Sequence, residues 1–516
     1  MGHASSFLGK IIPQFGRKDQ TENNFIWRAE DTQHKDVIGK GSMGYVIEAI
    51  NLKNGQACAI KIIEYEKRED AIFEYAQKKA KLVTSLSKLR HPNILKVYTC
   101  EPIEMENNFA IKHKYAFIME LNNCNLVTTI RQKNAENAAF EEADLLIHLL
   151  QLTGALSEAV QIGIHHHSIK EENIFYEKDS QKMILGDFDL FENIVSKVEP
   201  KDLLYKAPEL ELTTNPFNEK GDIYSLGIVF LKLALLMEET ISKEEISKHL
   251  ESIKEKDYKK LHHILSGMLD SNANKRPTLE ELLKNLQNQI CELRGYDYFD
   301  EKFSLHYLSE KQKSLKSLLE DGNIFRRAEE FKQGIPAYQK VITYCSTNES
   351  SLSKYERYLL SLAHEGLAVC YLETKDFPQA MRESFKCLKV KNLHLDGFKT
   401  YQSLIMVGKI YSRLGDFQNA LIYYIKSNEN LKSLEKSDIL ILVKSKENIA
   451  YAYENLGDNE SACENYLQAS VLVQHNFGTN NIKYVNNMKA LIRIFKKTGD
   501  ANKQRLFENK IRDIRV

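Results

Sequence analysis

The C-terminal part of this chain repeats itself. Gly415-Asp416, Gly457-Asp458 and Gly499-Asp500 recur at intervals of 42 residues. In step with them stand Tyr371, Tyr411, Tyr453 and Phe495, separated by 40, 42 and 42 residues. Ala368, Gly408 and Ala450 precede the rings by three positions, and Ala380, Ala420 and Ala462 follow them by nine. After about residue 300 the β-rich runs stop and the chain is helical in pattern, so each period is expected to be a helical hairpin. Small residues let two helices approach, an aromatic ring fills the gap between them, and Gly-Asp makes the turn. One hairpin cannot bury its apolar face alone, so stacked copies must share a core.

The segments "LAVCYLETKDFPQAMRESF", "MVGKIYSRLGDFQNALIYY" and "NIAYAYENLGDNESACENY" carry this order of small residue, ring, turn and alanine. The order resembles the tetratricopeptide repeat, with a longer period, as in kinesin-light-chain-like repeats. A weaker copy, "RRAEEFKQGIPAYQKVI", precedes them, and the last copy, "IRIFKKTGDANKQRL", lacks the alanine, as suits the ends of an array. The resemblance implies protein–protein binding on the inner helices, where the non-packing positions include Lys409, Ser412, Tyr451 and Glu454.

The N-terminal half has another texture, with the short β-rich runs "YVIEAI", "ACAIKII" and "YAFIMEL" among helical ones. "IGKGSMGYV" contains Gly39-x-Gly41-x-x-Gly44-x-Val46, and "AIK" then places Lys61 in a following strand. A glycine loop lets the backbone approach phosphates, and a strand lysine supplies a cation for them. "LSKLRHPNIL", "FIMEL", "LGDFDL", "YKAPEL", "GDIYSLGIVF" and "NKRPTLEELL" come next, in that order.

Together these landmarks resemble the eukaryotic protein-kinase fold over about residues 32–290, and Lys170 followed by Asn173 resembles its Ser/Thr class. The expected architecture is an α+β bilobal protein-kinase-like fold followed by an all-α tetratricopeptide-repeat solenoid. The resemblance implies ATP and Mg²⁺ as cofactors. By it, Ile38, Gly39, Gly41, Gly44, Val46 and Ala59 surround the nucleotide, Lys61 reaches its phosphates, and Met119 is the gatekeeper. Glu120 and Leu121 supply hinge contacts to adenine, and Asn173 and Asp187 hold Mg²⁺. Structural roles fall to His166, Phe188 and Asp222, and to Glu209 paired with Arg276.

The catalytic loop departs from the family. In "HHHSIKEENIF" the family's His-Arg-Asp-Leu-Lys-Pro-Glu-Asn becomes His166, His167, Ser168, Ile169, Lys170, Glu171, Glu172, Asn173. Ser168 thus takes the place of the aspartate that accepts the substrate proton, and a hydroxyl is a poor base at neutral pH. His167 replaces an arginine that reads activation-loop phosphate. A metal site at His165–His167 is disfavoured, because adjacent side chains diverge and no partner stands at ligand spacing.

A helical register set from Leu86 and Leu89 puts Leu82 where a glutamate should hold Lys61, with Glu74 too far away to replace it. Asp189 replaces a mobile glycine, and Phe175 replaces a smaller residue under adenine. This is the pattern of the pseudokinases, including the Scy-like group. The expected function is a signalling scaffold or regulator that binds ATP but is catalytically impaired. The alternative is an active Ser/Thr protein kinase whose repeats recruit substrates.

Bulk properties narrow the setting. Lys+Arg and Asp+Glu are 71 each, so no basic excess points to nucleic acid. The 8 cysteines form no CxxC pair, which suits reduced thiols in a cytoplasmic protein. The most apolar run, "GIVFLKLALLM", is too short to span a bilayer and carries Lys232. "MGHASS" places Gly2 and Ser6 as in an N-myristoylation signal, which by itself supports only weak, reversible membrane contact. The expected division is a flexible segment 1–25, a kinase-like domain 26–290, a helical linker 291–319 and a repeat domain 320–516.

Overall fold

The computed structural model describes residues 37–41, 44–50, 56–65, 71–107, 110–122, 124–188, 203–210, 218–239, 241–303, 305–395, 397, 399–432, 439–512 and 514. Gly2, the segment 1–25 and Asp189 lie outside the described residues. The chain forms two compact units that divide between Ser309 and Glu310.

In the first unit, the β-branched runs build a five-stranded antiparallel sheet. Its strands are β1 (Val37–Gly41), β2 (Gly44–Ile50), β3 (Ala57–Tyr65), β4 (Val97–Asn107) and β5 (Ala110–Glu120), in the order β1-β2-β3-β5-β4. A Cβ on Gly44 would stand 1.9 Å from the Ile62 carbonyl oxygen, so β2 and β3 can meet there only at a glycine. Helix α1 (Ala71–Ser87) lays Tyr75, Ala76, Ala80, Val83 and Leu86 inward, at helical spacing.

Helices form the rest of this unit: α2 (Leu126–Ala135), α3 (Glu142–Gln161), α4 (Glu219–Leu235), α5 (Ile246–Glu255), α6 (Lys259–Met268), α7 (Leu279–Arg294) and α8 (Tyr296–Lys302). A two-stranded ribbon, β6 (Ile174–Glu177) with β7 (Lys182–Leu185), lies between α3 and α4 in the chain. The apolar run noticed in the sequence is α4, buried on nearly every side and therefore a core helix. No helix among the described residues is long and apolar enough to cross a membrane.

The stretch 291–319, expected to be a linker, is divided between the units. Its aromatic residues are the physical reason: Tyr296, Phe299, Phe303 and Tyr307 are buried in the first unit. The Tyr307 hydroxyl donates to Asn93 Oδ1, and Gln287 Nε2 donates to the Tyr307 carbonyl at 2.7 Å. Beside it, His306 Nδ1 lies 3.0 Å from Glu158 Oε1. The second unit then starts ahead of residue 320, with α9 (Glu310–Arg327).

Helices α9 and α10 (Phe331–Thr347) make the weak first hairpin. Next come α11 (Lys354–Glu373) with α12 (Phe377–His394), α13 (Thr400–Arg413) with α14 (Phe417–Lys432), α15 (Ile439–Leu456) with α16 (Asn459–Phe477), and α17 (Ile482–Thr498) with α18 (Ala501–Ile511). The long period resides in long helices, such as α15 and α16 at 18 and 19 residues.

The Gly-Asp turns have a divided chemistry. Gly415, Gly457 and Gly499 take φ of 80°, 85° and 77°, where a side chain would be strained. Each following aspartate caps the next helix: Asp416, Asp458 and Asp500 accept from the backbone N–H of Asn419, Ser461 and Lys503.

One detail of the packing differs from expectation. The ring wedged against the small residue comes from the second helix of the hairpin. A Cβ on Gly408 would stand 2.5 Å from Cε1 of Tyr424, while Tyr411 instead stacks on Tyr423 with centroids 5.6 Å apart. Tyr338 of the first hairpin is seated against Gly322 of its own hairpin and Gly366 of the next. Close helix approach needs a ring directly facing the glycine, and position 411 lies on the glycine's own helix.

Candidate functional site

Between the sheet and the helical part lies a cavity of about 400 Å³, a size that suits a small organic ligand. Its upper wall includes Ile38, Gly39, Val46 and Ala59. Met119 and Glu120, at the end of β5, line its edge. Leu121 is not among the lining residues; Asn122 is, and the sequence reading missed it. The Asn122 Nδ2 group is buried and makes no hydrogen bond among the described residues.

Phe175 forms part of the floor, as its position in the sequence suggested, yet the cavity stays open. The ring leans toward Gly186, where a Cβ would stand 2.9 Å from Phe175 Cε2. That glycine gives the ring somewhere to go.

At the inner end, Lys61 Nζ lies 2.7 Å from both Asp187 carboxylate oxygens. A second ammonium joins them: Lys79 Nζ lies 2.9 Å from Asp187 Oδ1. Lys79 is only 3% exposed. Burial by itself would raise the Asp187 carboxyl, but Lys61 and then Lys79 outweigh it and hold it far below the usual carboxylate range.

The expectation placed Leu82 at this point, and the structure corrects it to Lys79. Helix α1 ends at Ser87, so Leu89 lies past its end and cannot carry a helical register. The inward face runs through Tyr75, Lys79, Val83 and Leu86, and Lys79, Val83 and Leu86 line the cavity. Leu82 is half-buried and lines nothing there, and Glu74 is exposed.

The catalytic-loop stretch is tightly held. Asn173 Nδ2 donates to the Ser168 carbonyl at 2.8 Å and to Ser168 Oγ at 3.0 Å. Asp222 accepts from the His166 and His167 backbone N–H groups at 2.7 and 3.0 Å. Burial pushes the Asp222 carboxyl up to about 7, against the pull of those two N–H donors. His167 has φ of 62°, a left-handed conformation uncommon for a side-chain-bearing residue. His166 Nε2 lies 2.9 Å from the Gly186 carbonyl, and its ring lies 4.3 Å from that of Phe188. Lys170 is half-buried on the same loop.

Two ion pairs brace the helical part. Arg276 donates to both Glu209 oxygens at 2.8 Å, the pairing expected from their motifs. The other pair was not foreseen: Lys232 on α4 lies 2.8 Å from Glu171 Oε1, with both side chains buried. Tyr205 completes it, its hydroxyl donating to Glu171 Oε2 and accepting from Lys232 at 3.1 Å. Glu171 stands where the family has proline, and a buried carboxylate there requires a cation.

With this geometry in view, comparison with known proteins is decisive. Residues 32–286 match the protein kinase domain family, and residues 401–429 and 443–470 match the tetratricopeptide repeat family. The first unit is a protein kinase domain.

Serine/threonine-protein kinase Nek5 of Homo sapiens is 26% identical over 283 residues, covering 52% of this chain and 38% of that protein. Cyclin-dependent kinase F-4 of Oryza sativa subsp. japonica is 30% identical over 203 residues, 39% of this chain and 40% of that protein. Calcium-dependent protein kinase 5 of Plasmodium berghei (strain Anka) is 24% identical over 408 residues, 75% of this chain and 65% of that protein. The chain thus spans less than two thirds of the length of each of these relatives.

Kinase domains of this family generally use Mg²⁺, which takes one or two carboxylates plus phosphate oxygens as ligands. The residues of this kinase domain fit the ion poorly. Both oxygens of Asp187 already receive ammonium groups, and a second buried ammonium repels a dication. Asn173 donates its amide N–H groups to Ser168, an arrangement that leaves its Oδ1 as the ligand atom it can offer.

In the tetratricopeptide array, Lys409 is exposed and Tyr451 is 46% exposed. The other two expected contact residues are engaged within the array. Ser412 Oγ lies 3.2 Å from the Tyr424 hydroxyl, and Glu454 accepts from Arg493 Nε and Nη2 at 2.7 Å each.

Proposed function

We propose that this chain is a regulator built on a protein kinase fold, with a nucleotide-binding pocket, little or no phosphoryl transfer, and a repeat array that binds a protein partner. One observation carries the reading: Ser168 stands at the position of the catalytic base, with its hydroxyl tied to Asn173. A serine hydroxyl held in this way cannot take a proton from a substrate at neutral pH, and a missing general base typically removes a factor of about 10²–10⁴ in rate. The position of Lys79 supports the same reading, because a lysine there cannot form the lysine–glutamate pair on which family members rely.

A second reading has its own support. Lys61, Asn173 and Asp187 are present and line one cavity, and the named relatives are kinases. It makes the chain an active Ser/Thr kinase whose repeats recruit substrates. Phosphate transfer from labelled ATP to protein substrates by the purified full chain separates the two, and turnover at rates usual for kinases favours the second. Lys409 and Tyr451 are the exposed positions offered to the partner. Charge reversal at Lys409 should weaken capture of a partner that the array alone retains. Location in the cytoplasm, with weak membrane contact through an acylated Gly2, completes the reading; a mass spectrum showing no acyl chain would remove that last part.

A further inference from the structure

The hairpin of α17 and α18 carries a charge that the chain as a whole lacks. Between Ile482 and Arg512 stand 9 Lys and Arg against 2 Asp and Glu, although the two kinds are equal over the full sequence. The inward side of α18 is set by Ile511 and by Phe507, whose ring stacks on Phe495 with centroids 5.6 Å apart. Its outward side presents Lys503, Arg505, Leu506, Lys510 and Arg512, all exposed. The other exposed positions of α18, Ala501, Asn502 and Asn509, are uncharged. Lys496 and Lys497, in the last turn of α17, add two exposed cations beside it.

The two carboxylates of the hairpin leave most of these cations without an ion pair. Asp500 caps α18 and lies 3.4 Å from Lys503 Nζ, while Glu508 is half-buried and accepts from Gln504 Nε2 at 2.8 Å. Among the described residues no carboxylate comes within ion-pair distance of Lys496, Lys497, Arg505, Lys510 or Arg512. Lys503 and Lys510 stand over the rings of Phe495 and Phe507, at 5.4 and 4.9 Å, and so flank Leu506, which is 53% exposed. The outer face of an array needs polarity, which mixed charges supply; a face of one sign adds self-repulsion and a field aimed at an anion.

From this we propose that the outward face of α17 and α18 docks on an anionic lipid bilayer, with Leu506 entering the headgroup layer between Lys503 and Lys510. A cluster of four to eight Lys and Arg on one helical surface is drawn to anionic lipid, each cation strengthening attachment by about 5-fold. The choice of a bilayer over an acidic polypeptide rests on the membrane reading above. One acyl chain at Gly2 would hold the protein only marginally, stable attachment takes a second signal, and a polybasic face supplies one.

The test uses the full chain, produced without acylation, and co-sedimentation with vesicles of phosphatidylcholine alone or with about 30% phosphatidylserine. Binding to the anionic vesicles should be at least about 10-fold tighter and should be lost between about 0.1 M and 0.5 M salt. Lys503→Gln with Lys510→Gln should weaken it by about 20-fold. Lys256→Gln with Lys259→Gln, an equal change of charge at exposed positions of the kinase domain, should alter it by less than about 2-fold. No preference for phosphatidylserine, or equal losses in the two pairs, would overturn the proposal. Binding of polyglutamate that needs Lys503 and Lys510, without binding of vesicles, would overturn it in favour of an acidic polypeptide. Because the chain carries no acyl group here, these results are independent of Gly2, whose acylation is settled by mass. The lipid and salt dependence of the wild-type chain decides the matter even if a variant fails to fold.

Discussion

Lys79 Nζ lies 2.9 Å from Asp187 Oδ1, so a helix lysine occupies the place from which a carboxylate would hold Lys61. Two consequences differ in size. Lys79→Met leaves Asp187 in contact with the Lys61 ammonium at 2.7 Å and should change stability by less than about 1 kcal/mol. Asp187→Asn removes the carboxylate that both ammoniums contact and should cost about 3–5 kcal/mol. Urea unfolding of the full chain measures both, and equal losses would contradict the place of Asp187 as the shared contact. The Asp187 contribution also has a defined pH sense. The folded carboxyl lies below its unfolded value of about 3.9, so its contribution is fully present above that pH and is lost only as pH falls toward the folded value. The Asp187→Asn penalty should therefore be constant between pH 7 and pH 5.

His148 behaves in the opposite way. Burial lowers its pKa from 6.5 to about 4, between the rings of Phe140 and Tyr176. The folded state refuses a proton that the unfolded chain accepts, so stability is lost as pH falls from about 6.5 to about 4. At about 1.36 kcal/mol per pKa unit the full loss is of order 3 kcal/mol. Asp222 acts in the contrary sense across this whole range, so the comparison must be made between His148→Leu and wild type. The variant's unfolding midpoint should fall less steeply with acidification, and parallel profiles would contradict the assignment.

The pair of Lys232 and Glu171 tests whether the catalytic loop depends on a charge the family lacks. Lys232→Met strands a buried carboxylate and should cost about 3–5 kcal/mol. Adding Glu171→Leu should return most of that loss, since replacing both members of a buried pair with apolar groups is often nearly neutral. Additive losses in the double variant would show that the two side chains act separately.

Much of the kinase domain was legible because its functional residues sit in short motifs that carry their own spacing. Lys61 after the glycine loop, Asp222 at the head of its helix, and Glu209 with Arg276 all stand where those motifs put them. Lys79 was not legible, because its place depends on the rotation of α1 against the sheet, and tertiary packing decides that rotation. The Tyr75, Lys79, Val83 spacing was the available signal. The link between Glu171 and Lys232 spans the catalytic loop and α4, and no local pattern announces such a pair. In the repeats, the 42-residue period showed the hairpins, but it could not tell whether the periodic ring, Tyr411, or Tyr424 of the second helix faces the glycine.

That choice of ring can be tested in the array. A Cβ on Gly366 would stand 2.4 Å from Tyr338 Cζ, so Gly366→Ala should cost about 1–3 kcal/mol despite the better helix propensity of alanine. Tyr338→Leu should be destabilising in the native background, and in the Gly366→Ala background its cost should shrink as room is restored. Unchanged costs across the cycle would contradict the wedge.

Phosphate transfer by the full chain, measured with labelled ATP and a generic Ser/Thr protein substrate in Mg²⁺, tests the central claim most directly. Wild type, Ser168→Asp, and Ser168→Asp combined with Lys79→Glu and Asp189→Gly are compared, with folding checked by thermal unfolding. The account predicts no transfer above background for wild type and little for Ser168→Asp. It predicts a gain in the triple variant larger than its separate changes would give, because catalytic groups acting together are not additive. Sustained turnover by the wild-type chain that Lys61→Ala abolishes would contradict it.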